Sequence, residues 1–136
     1  MARHTLEQQR ALYALQTIQG HVSDVDKDKR RYATLVRSLP SMVLQNGLGQ
    51  ALAYLLADAR GDDRTPARRL YAELKQWLVG DVSDDRPEPA YDRGSELMEA
   101  LMAGSRTDYQ QAQLTSLALL GWMRKFADAY LPKGDS

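Results

Sequence analysis

Two basic clusters carry the residue types that grip a phosphate backbone. Lys27, Lys29, Arg30 and Arg31 open a helical pattern, with Arg37 further along it and Arg10 upstream, and Arg124 and Lys125 stand near the far end of the chain. Lysine and arginine so placed neutralise phosphates and release counterions, the sequence-independent chemistry of nucleic-acid binding. The same residues also have an ordinary use. Asp24, Asp26 and Asp28 sit among the first cluster and fit a solvated, self-neutralised helix face, and cations near a helix C-terminus suit its dipole. On the residues alone the solvated, self-neutralised face is the favoured reading of the first cluster.

Other chemistries find less support. The chain has no Cys, which removes disulfides, thiol catalysis and thiolate metal sites. His4 and His21 have no acidic partner at metal-ligand spacing and read as surface residues. Asp84, Asp85, Glu88 and Asp92 lack the glycine and spacing of an EF-hand and read as a solvated loop, so neither a metal nor a cofactor is expected. Tyr13, Tyr32, Tyr54, Tyr71 and Tyr109 could stack on bases, yet their helical spacing suits a core edge. No nucleophile stands beside a base; only carboxylates converging near Glu73 or Glu96 would revive an enzyme.

The segment Asn46-Gly47-Leu48-Gly49-Gln50 interrupts an otherwise helical pattern. A glycine inside a helix costs about 1 kcal/mol relative to alanine, so two within one turn ask for close packing or for a ligand that needs bare backbone. A tight helix crossing, with Asn46 satisfying a buried carbonyl, is the reading adopted. A dinucleotide fingerprint is rejected, since no third glycine and no preceding strand are present.

The elements that position these residues are helical. Hydrophobic residues make up 43% and charged residues 26% of 136 residues, which fits one folded domain, residues 1–136, with an acidic Pro-containing loop over 80–92 and a polar tail over 132–136. The 18 basic and 18 acidic residues cancel, which argues against a chain that binds nucleic acid by bulk charge, although residues 1–37 lean basic and 81–99 acidic. No signal peptide or transmembrane span fits, so a soluble, cytoplasmic chain is expected.

Six helices are predicted. Thr5 and Gln8 form a capping box for the first, with Ala11, Leu15, Ile18, Val22 and Val25 as its stripe. A second runs from Lys27 to Ser38 and stops before Pro40. A third starts at Pro40 and faces inward with Leu44, Leu48, Leu52, Leu55 and Ala59. Thr65 and Pro66 start a fourth, ended by Gly80; a fifth spans Arg93 to Ala103; a last begins at Ser105 to Asp108 and reaches Tyr130. The last is apolar on two sides, one through Tyr109, Ala112, Leu119, Met123 and Phe126, the other through Leu114, Leu117, Ala118 and Trp122, so it is either central or carries a docking face.

In order and spacing these pieces resemble the small helical subunit of the Cmr-type (type III-B) CRISPR RNA-targeting effector complex. The resemblance rests on Leu39-Pro40-Ser41-Met42, the Asn46 to Gln50 segment with Leu52-Ala53-Tyr54, Arg10 and Ala14, Leu70-Tyr71, Trp77-Leu78, and Tyr109, Ala112 and Leu117 to Ala127. It implies a non-catalytic subunit that stacks in several copies beside the backbone subunits, contacts the large subunit and helps line the groove for guide and target RNA. Arg10, Lys27, Lys29, Arg30, Arg31, Arg37, Arg124 and Lys125 are then the candidate RNA contacts, and Asn46, Gly47, Gly49, Gln50, Leu114 and Trp122 the candidate packing or subunit contacts. The neutral net charge and the acidic loop depart from a strong RNA binder. A freestanding helical adaptor, without RNA or multiple copies, is the alternative.

Overall fold

A computed structural model describes residues 4–80 and 90–132. They form an all-α fold of six helices: α1 (Leu6–Gln19), α2 (Asp26–Asn46), α3 (Leu48–Ala59), α4 (Pro66–Leu78), α5 (Leu97–Ala103) and α6 (Arg106–Tyr130). The predicted starts of three helices match their caps. Thr5 and Gln8 exchange bonds as a capping box, Thr65 Oγ1 accepts from the Arg68 amide with Pro66 in the first turn, and Ser105 accepts from the Asp108 amide.

Around this frame, α6 packs on α1 and α2, α2 also touches α3 and α4, and α5 rests on α3. The shared core takes Ile18, Tyr32, Leu39, Leu52, Leu74 and Leu120, each at most 1% exposed.

Proline does not divide the second and third helices. Pro40 lies inside α2, where it removes a helix hydrogen bond at a cost of roughly 3 kcal/mol. Val36, Leu39 and Val43 around it are all buried, and burying each such side chain is worth about 1.5–3 kcal/mol, so tertiary burial overrides the local breaker. The break falls at Gly47, whose φ of 90° lies in the region that favours glycine; it is at once the C-cap of α2 and the N-cap of α3. Leu44, expected in the core stripe of a helix starting at Pro40, is 71% exposed because that stripe belongs to a different helix.

Two further boundaries shift. α1 ends at Gln19, so Val22 and Val25 fall in the following turn and are exposed, while Ala14 and Ile18 carry its buried face. α5 starts at Leu97 with Glu96 as N-cap, after a stretch in which Ala90 and Gly94 donate back to the carbonyls of Leu78 and Gly80. The acidic loop expected over 80–92 and the tail expected over 132–136 lie mostly outside the described residues.

Candidate functional site

The Gly47 joint is held by α6. Leaving Gly47 in its positive-φ conformation starts α3 at once, and the amides of that helix's first turn have no earlier turn to bond. Two side chains one turn apart on α6 supply acceptors: Leu48 N donates to Gln113 Oε1 at 3.0 Å and Gly49 N to Tyr109 Oη at 2.9 Å. A Cβ on Gly47 would sit 3.1 Å from Tyr109 Oη, so this glycine lets α6 come close enough to cap α3, while one on Gly49 would sit 3.0 Å from Met102 Cε of α5. Asn46 and Gln50 are exposed beside this joint. Sequence reasoning misses this capping pair, although its i, i+4 spacing places Tyr109 and Gln113 on one helix face.

The basic residues divide into two kinds. Arg31 is tied to α3, with Nη2 2.9 Å from Asp58 Oδ1 and 3.2 Å from Tyr54 Oη. Arg37 Nε lies 2.6 Å from Asp128 Oδ1 on α6, and Lys29 Nζ 3.5 Å from Asp26. Lys27, Arg30, Arg124 and Lys125 are exposed and form no ion pair among the described residues. Arg10 is half-buried on α1. Lys27, Arg31 and Arg64 border an open groove together with Asp28 and Asp62, so the start of α2 and the α3–α4 connection present mixed charge there.

On α6 the two apolar stripes meet different fates. Ala112, Leu119, Leu120, Met123 and Ala127 are buried, whereas Leu114 is 66% exposed and Leu117, Ala118 and Trp122 are half-buried. Trp122, Phe126 and Tyr130 form a ladder of rings 5.8 and 6.4 Å apart. One stripe therefore builds the core and part of the other faces outward.

His21 overturns the expectation of a surface histidine: it is 1% exposed. Its Nδ1 lies 2.7 Å from Asp24 Oδ2 and its Nε2 2.5 Å from Glu73 Oε2, while its ring stacks on Tyr32 at 3.7 Å. Glu73 also accepts from Tyr32 Oη, its backbone carbonyl accepts from Tyr13 Oη, and Arg69 grips Asp24 through two nitrogens. The signal for Asp24 is its i, i+3 spacing; Glu73 is 52 residues away and leaves none.

Glu73 and Glu96 do not converge: Glu73 faces His21 and Tyr32. Glu96 belongs elsewhere, capping α5 and accepting from Tyr71, whose hydroxyl burial and the Glu96 charge push up to about 12. Open grooves among the described residues lie beside Arg60 and Arg64, beside Tyr91 and Gly104, and between Lys27 and Pro66. Asp24 and Glu73 meet opposite edges of the imidazole and share no point where an ion could sit; among the described residues no group of three such side chains is placed to hold a metal. No helix among them is long and apolar enough to cross a membrane.

Comparison with known proteins agrees with this arrangement. Residues 6–130 match the family model described as CRISPR-associated protein (Cas_Cmr5). The structure is similar to the X-ray crystal structure of a CRISPR-associated Cmr5 family protein from Thermus thermophilus, with 26% identity and a TM-score of 0.71 over 94% of this chain and 98% of that one.

Proposed function

The chain belongs to the Cmr5 family of CRISPR-associated proteins and is a small Cmr-type CRISPR subunit; from that premise we propose that it serves as a non-catalytic scaffold, stacking in several copies and helping to line the groove for guide and target RNA. It does so as one α-helical domain in the cytoplasm, in RNA-targeting antiviral defence, beside the backbone and large subunits.

One observation carries this reading: the second stripe of α6 leaves Leu114 and the edge of Trp122 outside the core of the single chain. Apolar surface returned to a neighbouring subunit gains about 25 cal/mol for each Å² removed from water, which favours a chain built to be assembled. The exposed bases add a second support. Lys27, Arg30, Arg124 and Lys125 are free to meet phosphates, while Arg31 and Arg37 hold helices together.

Native mass spectrometry of what copurifies with the tagged chain from its own host tests the reading. A large particle with several copies of the chain and a short guide RNA is the expected result. A monomer or a small protein complex without RNA would replace the scaffold with the adaptor.

A further inference from the structure

We propose that His21 is a proton-dependent clamp: with both ring nitrogens protonated it ties the α1–α2 turn to α4, and on losing one proton it lets that turn go.

The geometry demands two donors. Both edges of the imidazole face carboxylate oxygens, at 2.7 and 2.5 Å, and a neutral ring carries only one N–H. The other edge would then press a lone pair against an anion inside a site 1% exposed. Neither carboxylate is at liberty to turn away. Asp24 is gripped by Arg69 at 2.9 and 3.3 Å, and the second oxygen of Glu73 accepts from Tyr32 at 2.5 Å.

The charges facing the ring come from every element around it: Asp24 in its own turn, Glu73 and Arg69 from α4, the Tyr32 hydroxyl from α2 and the Tyr13 hydroxyl from α1, bonded to the Glu73 carbonyl. Two acids and one arginine leave a deficit of one positive charge, which the imidazolium supplies. Burial pulls the ring's pKa down, but the Glu73 hydrogen bond and charge and the Asp24 hydrogen bond outweigh it against the opposing Arg69, leaving it above 6.5.

The sign follows from the raised value. The clamp is fully present below the imidazole's ordinary pKa and is lost as pH rises through the value of the folded chain. What it releases is the turn leading into the first turn of α2, where Lys27, Lys29 and Arg30 stand.

Nitrogen-15 spectra of the ring, assigned with a His4→Gln chain, and hydrogen exchange of the His21, Val22 and Asp24 amides, corrected for base catalysis, test this together. A ring midpoint above the ordinary imidazole value, with two protonated nitrogens below it, is expected. Between the ordinary imidazole range and the ring's own titration, the opening constant of the turn should rise with pH, by at most about tenfold per unit, and in His21→Gln it should stay flat. A ring midpoint at or below the ordinary imidazole value, or a ring that loses its proton while the turn's opening is unchanged, would overturn the clamp.

Discussion

Gly47 and Gly49 stand two residues apart and answer to different constraints. Gly47 needs its backbone: at φ 90° an L side chain is strained, and its Cβ would also crowd Tyr109 Oη at 3.1 Å. Gly49 is helical, and its tightest neighbour is the end of the Met102 side chain, itself 62% exposed and able to move. Gly47→Ala should therefore cost about 1–3 kcal/mol in urea unfolding, whereas Gly49→Ala should fall within about 1 kcal/mol of the parent, because alanine's helix preference offsets the contact. Equal losses at the two positions would contradict the assignment of the break to Gly47. The demand for close approach is legible in the sequence here but its agent is not, because Tyr109 is 60 residues away from Gly49. His21 defeats sequence reading for the same reason: its second carboxylate is remote along the chain, and neither composition nor periodicity reports pairs of that separation.

At the scale of the helix, α4 and α6 are readable to within a residue or two because Thr65-Pro66 and Ser105 are strong local start signals. α2 is not, since the rule that proline stops helices is a local rule and the burial of Val36, Leu39 and Val43 is a property of the assembled core. The start of α3 is capped from another helix, so removing an acceptor on α6 should weaken α3. Tyr109→Phe leaves the buried Gly49 amide without its partner and should cost about 1–3 kcal/mol by the same unfolding measurement; an unchanged midpoint would mean the cap is dispensable. The outward stripe of α6 separates stability from assembly. Leu114→Glu, at a 66% exposed position, should stay within about 0.5 kcal/mol of the parent yet lose partners in native mass spectrometry. Trp122→Ala removes a half-buried ring stacked on Phe126 and should lower stability as well. If Leu114→Glu assembles normally, the stripe is not an interface.

For the whole molecule, charge is divided between fold and surface in a way that net charge conceals. Replacing Lys27, Arg30, Arg124 and Lys125 together with alanine should leave the unfolding midpoint nearly unchanged. RNA retention by the assembled particle should weaken, and the salt dependence should flatten by roughly 0.7 in log–log slope for each phosphate no longer neutralised. Arg31→Ala and Arg37→Ala should behave in the opposite manner, costing stability because Asp58 and Asp128 are left without their arginines. Unchanged RNA retention in the fourfold variant would remove these cations from the groove. The all-α class is open to sequence reading because composition and periodicity report it directly; that Arg31 and Arg37 are already spoken for is not, since their acids lie on α3 and α6.

The single-residue joint at Gly47 also makes chain length a structural variable. With no loop between α2 and α3, there is no slack to absorb an added residue. Successive helical residues point about 100° apart, so an insertion there would turn Leu48, Leu52 and Leu55 away from the core or pull the first amides of α3 off Tyr109 and Gln113. The connection from Arg60 to Thr65 is different: it is solvent-facing at Gly61, where an added side chain would meet nothing. One extra glycine after Gly61 should be absorbed, while the same residue after Gly47 should unfold the chain, so the fold counts residues at one bend and ignores them at the next.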